Sequence, residues 1–174
     1  MSTHTILDYR RTDLRSTVLT NPYWITSNLV SVVDGDDLIC VVFSFSAANY
    51  PSGLVLIHYM CVNLIVEMQG GTELMTVGAY TLATDAVTTA GVATLVDVDE
   101  YYEDGDIDET TAGFYWSSNG NYFDAMDAAT WAAPAAITPA DTAVPCIAVV
   151  PTSNAPLTGG TCRVICLISE IPMT

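Results

Sequence analysis

The chain has 174 residues, with twenty Asp and Glu against four Arg and no Lys, for a formal net charge of −16. Its pI is near 4.1. A body this acidic repels nucleic acid and anionic membrane, because phosphate binding runs on Lys and Arg, and a Gly-x-x-x-x-Gly-Lys phosphate loop cannot exist without lysine.

The positive charge is placed unevenly. Arg10, Arg11 and Arg15 fall in the N-terminal segment and only Arg163 lies beyond. A short basic arm on an acidic body points to docking on other proteins. The length fits one domain plus an arm. With 51% hydrophobic residues there is enough for a sizeable core. The mean hydropathy of +0.38 fits either a β-rich core or apolar surface buried between subunits.

In chain order, residues 1–20 read as the arm, with five Thr and three Arg. They lack the apolar run of a secretory signal. A short helix over Asp8–Leu14 has no strong apolar stripe behind it. Asn21-Pro22 marks a break. Ile25–Val33 then reads as a strand, Asp34-Gly35 as a tight turn, and Leu38–Phe45 as the returning strand, apolar enough to be covered on both faces.

Residues 38–66 carry no charge, but Asn49, Pro51, Ser52 and Gly53 interrupt them, so two strands and a turn fit better than a membrane span. Leu54–Met68 reads as one bent strand, or as two with a bulge near Cys61. Gln69-Gly70-Gly71-Thr72 reads as a hairpin turn to Glu73–Tyr80. Gly91–Val98 is a further strand. The run 97–109 holds eight carboxylates and reads as a solvated loop. Short strands follow at Gly113–Trp116 and Asn121–Phe123, then one helical turn within Ala125–Ala136. Val144–Val150 and Cys162–Ile171 close the chain, the last nearly all apolar and therefore central. Seven to nine strands at short spacing describe an all-β single-domain sandwich, jelly-roll-like, or a barrel.

Catalytic chemistry lacks its parts. His4 and His58 are the two histidines, and His58 sits inside an apolar strand. No Ser stands in a G-x-S-x-G elbow. An EF-hand register around Asp104-Gly105-Asp106 puts Thr111 where a bidentate Glu is needed. Cys40, Cys61, Cys146, Cys162 and Cys166 lack metal-ligand spacing and read as small buried hydrophobes. The expectation is no enzyme, no metal and no cofactor. The aromatic residues from Tyr101 to Trp131 crowd one stretch, as a sugar platform or a subunit interface does.

Leu54–Tyr80, with its return segment Leu74-Met75-Thr76-Val77-Gly78, and the closing run Cys162–Ile168 resemble a group of small β-rich virion proteins of tailed bacteriophages. The resemblance covers about half the chain, and the acidic run Asp97–Glu109 and the five cysteines depart from it. It implies a capsid decoration (cement) protein on the virion surface, made in the host cytoplasm. Such a protein binds the major capsid protein and itself, as a homotrimer. The arm, 1–20, would contact the shell through Tyr9, Arg10, Arg11 and Arg15, with 21–174 as the sandwich. The alternative is a head fibre or tail-associated adhesin with a glycan-recognition tip at 97–131.

Overall fold

A computed structural model describes residues 5–10, 21–31, 38–51, 53–70, 73–85, 93–102, 107–116, 135–153 and 157–172. The strands are β1 (Thr5–Asp8), β2 (Tyr23–Thr26), β3 (Val30–Ser31), β4 (Leu38–Ser44), β5 (Gly53–Gln69) and β6 (Glu73–Leu82). β7 (Thr94–Tyr102), β8 (Gly113–Trp116), β9 (Ala135–Ile137), β10 (Val144–Ser153) and β11 (Gly159–Pro172) complete the set. Among the described residues there is no helix.

The strands form two sheets, a sandwich rather than one closed barrel. Sheet A runs β1-β4-β10-β6-β7, and sheet B runs β2-β11-β5-β8, with β3 on β11 and β9 on β5. Every pairing is antiparallel except β1 with β4. Thr5–Asp8 of the arm is therefore an edge strand of the chain's own sheet A.

The core lies between the sheets. Val62, Leu64, Val164, Cys166 and Ile168 from sheet B meet Cys40, Val42, Met75, Val77, Ile147 and Val149 from sheet A. Alternation along each strand sends every second residue there. Burying one such side chain contributes about 1.5–3 kcal/mol, so this layer dominates the stability of the fold. β4 is buried at every position. Its alternate residues Ile39 and Val41 join a second buried cluster with Ile6, Tyr80, Leu82, Cys146, Ala148 and Val150. The expectation that β4 is covered on both faces holds.

Both expected hairpins are absent. β5 and β6 are consecutive strands of the right extent, but β5 pairs with β11, β8 and β9, and β6 with β10 and β7. The turn between them crosses from one sheet to the other. β2 and β3 likewise belong to sheet B while β4 belongs to sheet A. Turn residues report where the chain reverses. Pairing is decided by which partner buries more. β6 finds ten residues of register on β10, and β5 finds partners along most of β11. At the crossing, Gly70 sits at φ 117°, a conformation open to glycine.

The acidic run is also not one solvated loop. β7 extends through it to Tyr101 and Tyr102, both buried. Glu109 is buried as well. Its Oε1 accepts from the Met75 backbone N–H at 2.8 Å, and its carbonyl accepts from the Met68 N–H at 2.9 Å. A carboxylate bonded this way contributes about 1.5–3 kcal/mol and fastens the segment to β5 and β6. Ala135 and Ala136 are strand, not helix. The other residues of the expected helical turn, 125–134, and the expected strand 121–123 lie outside the described residues.

Candidate docking site

The base of the arm is fixed by its own fold. The Tyr9 N–H donates to the Val41 carbonyl at 2.8 Å, and the Tyr9 hydroxyl donates to the Ser31 carbonyl at 3.0 Å. Tyr9 thus ties β1 in sheet A to β3 in sheet B. Burial pushes its phenol above the ordinary value.

Arg10 forks onto Asp8, with Nε 2.9 Å from Oδ1 and Nη2 2.8 Å from Oδ2. Its Nη1 donates to Ser44 Oγ at 2.7 Å and to Asp85 Oδ1 at 2.5 Å. Ser44 Oγ and Asn49 Nδ2 also donate to Asp85, at 2.7 and 3.3 Å. The guanidinium therefore clasps the end of β1, the end of β4 and the segment after β6. Burial pushes the Asp8 carboxyl up, but the hydrogen bonds and charge of Arg10 outweigh it and hold the group below its usual value. The Asp8 hydrogen bond likewise raises Arg10. Arg10 is engaged within the chain, while Arg11 and Arg15 lie outside the described residues.

A second surface emerges from register. Residues paired across a sheet share a face, and Met60, Val62, Val164, Cys166 and Ile25 face the core. Their neighbours must face outward. Three ranks result on sheet B: Arg163–Asn63–Phe114, then Thr26–Ile165–Cys61–Trp116, then Trp24–Leu167–Tyr59. Phe114 is 61% exposed, Trp24 52% and Tyr59 43%. The Trp24 and Trp116 rings meet edge-on at 6.2 Å between centroids, reaching toward each other from β2 and β8. Cys61, on β5, one of the two strands between, is fully buried although it points outward. Ile65 and Val66 extend the apolar surface along β5. These ranks hold no carboxylate. Their one charge is Arg163, exposed, which makes no ion pair or side-chain hydrogen bond among the described residues.

Sequence reasoning missed this face because its residues come from four segments that only register brings together. The alternation of Tyr59, Cys61 and Asn63 against Met60, Val62 and Leu64 was the available signal. The expected single tip at 97–131 is divided among the described residues: β7 is the edge of sheet A and β8 the edge of sheet B. Tyr102 bridges them, its hydroxyl 3.0 Å from the Met60 carbonyl and 2.7 Å from that of Tyr115.

One arrangement has the spacing of a nucleophile and base. His58 Nε2 lies 2.9 Å from Ser169 Oγ. Ser169 is buried, and Glu170 beside it points to the opposite face, accepting from the Tyr23 hydroxyl at 2.6 Å. A triad needs the acid on the base, not across the sheet from it. The pair sits beside the irregularity at Leu167/Ile168, where β5 carries one residue more than β11. Among the described residues no three metal-type side chains converge; residues 103–106 lie outside them. All five cysteines are free and buried. Burial pushes Cys40, Cys61, Cys146 and Cys162 up to about 12 and Cys166 well above its ordinary value, so their thiols stay protonated.

No protein-family model and no curated protein matches the chain. Among solved structures, the chain is similar to one in a structure described as the capsid of Ralstonia phage GP4. The two are 12% identical, with a TM-score of 0.57, over 97% of this chain and 99% of the other. At that identity the shared property is the fold, an all-β sandwich found in a phage capsid.

Proposed function

We propose that the chain is a structural protein of a phage virion: a decoration, or cement, protein seated as a homotrimer on the outer surface of the major capsid protein lattice. The observation that carries this reading is the end-to-end likeness in fold to a chain of a phage capsid, over 97% of one chain and 99% of the other. The composition agrees. A β sandwich with a net charge of −16 stays soluble and holds off nucleic acid. Its exposed aromatic face suits protein contact rather than chemistry.

In this reading the N-terminal arm makes the shell contact. Tyr9 and Arg10 set the point where the arm leaves the sandwich. Arg11 and Arg15 pair with carboxylates of the shell protein. Many copies act together, so each contact needs only modest strength to stiffen the shell.

Co-sedimentation with expanded phage shells tests the proposal. The wild-type chain should saturate the shells, and the Arg11→Glu/Arg15→Glu variant should bind at least about ten-fold more weakly, since each close charge pair is worth about 1.5 kcal/mol or more. Full affinity in the variant removes the arm from the mechanism. No shell binding by the wild type removes the decoration role.

A further inference from the structure

The outward face of sheet B has the make-up of an interface centre. Trp24, Tyr59, Phe114 and Trp116 are exposed there, on three different strands. The three ranks hold no carboxylate, on a chain that has twenty Asp and Glu. Arg163 is their one charge, exposed and without an ion pair among the described residues. The sandwich does not need these rings, because Val62, Leu64, Val164 and Cys166 of the same sheet already supply the core from its other side. Aromatic residues and Arg are enriched at the centres of protein interfaces, where Lys, Asp and Glu are depleted.

We propose, on the decoration reading above, that this face seats the chain on the shell protein, with its aromatics against an apolar patch of that protein and Arg163 against one of its carboxylates.

Charge selects the occupant. A cation covered by a partner needs an answering anion. A second copy laid face to face would bring another Arg163 and no carboxylate from these ranks, while pressing two bodies at −16 together. A shell surface with a carboxylate set in an apolar patch answers both the rings and the cation. Arg forks onto a carboxylate through two parallel N–H···O bonds, which fixes orientation as well as charge.

The arm leads to the same edge. The Asn28 N–H donates to the Tyr9 carbonyl at 2.9 Å, and Asn28 Nδ2 donates to the Arg10 carbonyl at 2.5 Å. Asn28 lies between β2 and β3, on the side of sheet B where Trp24 stands. Arg10 and β2, the described parts on either side of Arg11 and Arg15, are thus held at one edge. A shell contact by the arm and one by the face are neighbours, so each raises the effective concentration of the other. Area fits such a paired contact. Aromatics bury about 150–250 Å² each when fully covered, so four at roughly half exposure supply on the order of 400 Å². That is about half of the ~800 Å² per partner of a stable interface. Exposed Ile65 and Val66 extend it along β5.

Co-sedimentation with expanded shells, with light scattering on the free chain, tests the seat. Arg163→Glu and Phe114→Asp should each bind at least about ten-fold more weakly than the wild type, while keeping its urea midpoint and its mass. Arg163→Ala and Phe114→Ala serve where the midpoint shows a charged variant unfolded, with the same loss expected. Val96→Asp places an equal charge on β7, at the edge of sheet A, and should bind like the wild type. Full shell binding by the sheet B variants, or an equal loss in Val96→Asp, overturns the seat. So does a fall in mass in the sheet B variants, which makes the face a contact between copies. Wild type and sheet B variants that bind shells equally sink this inference alone. A wild type that ignores shells sinks the decoration role and this seat with it.

Discussion

The outward faces of the two sheets contrast sharply. On sheet A, Ile6, Ile39, Val41, Cys146, Ala148 and Val150 point away from the inter-sheet core and are nevertheless buried. On sheet B, Trp24, Tyr59, Phe114 and Trp116 occupy the equivalent positions and are exposed. One face uses mostly aliphatic and small side chains, with Tyr80 as its aromatic, and these pack together out of solvent. The other uses aromatics, which keep large contact area at low rotamer cost and are enriched where proteins meet. Apolar character alone therefore does not separate interior from interface; residue type and exposure together do.

The contrast breaks most severely if a charge is placed on each face. Val41→Asp buries an unpaired carboxylate in sheet A and should cost more than about 4 kcal/mol, leaving the chain unfolded by circular dichroism. Phe114→Asp on sheet B should change the urea midpoint by no more than about 0.5 kcal/mol equivalent. Equal effects would erase the distinction.

The two described arginines give the next test. Arg10→Ala leaves Asp8 and Asp85 facing each other without their cation and should cost about 1–3 kcal/mol in urea unfolding. Arg163→Ala should cost under about 0.5 kcal/mol in the monomer.

Acid sharpens the same comparison. Asp8 has a folded pKa below its unfolded value, so its contribution is present above about pH 4 and is lost as pH falls through the depressed folded value. Asp108 shifts in the same sense, lowered by hydrogen bonds from Thr110 and Thr111. Urea midpoints should hold through neutral pH and drop below about pH 4. Arg10→Ala should make that drop shallower, and Arg163→Ala should leave it unchanged.

The smallest effect concerns the two outward cysteines, Cys146 on sheet A and Cys61 on sheet B. Neither should label with iodoacetamide in the native protein, because both thiols are buried and protonated. The Trp24→Ala/Trp116→Ala variant uncovers Cys61, so mass spectrometry should find Cys61 alkylated first and Cys146 untouched.

Much of the strand content was legible. β8 was read at its observed bounds, β4 as covered on both faces, and the closing strand as central, because runs of Val, Ile and Leu constrain local conformation strongly. The pairing was not legible. Gly70-Gly71 signalled a reversal but could not say whether β6 would return beside β5 or cross to the facing sheet. Glu109 looked like one more solvated acid because its partner, the Met75 N–H, lies 34 residues away. The clasp that Arg10 forms within the chain was not legible because its second carboxylate, Asp85, is 75 residues away. Trp24 and Trp116 gave no shared signal before β2 and β8 were placed on one sheet. Local chemistry wrote the elements, and long-range burial chose their neighbours.

The strands that join each sheet come late in the chain. β10 stands between β4 and β6, and β11 between β2 and β5. Until residue 144 leaves the ribosome, sheet A is two separate strand pairs, and β2 has no neighbour among the described strands. The nascent polypeptide thus carries its strands as separate pairs through most of translation, and each sheet is joined only when its late strand arrives. Contacts so distant in sequence fold slowly and expose edges while they wait. The heavy negative charge then has a second use, keeping crowded, half-made copies apart until their last strands arrive.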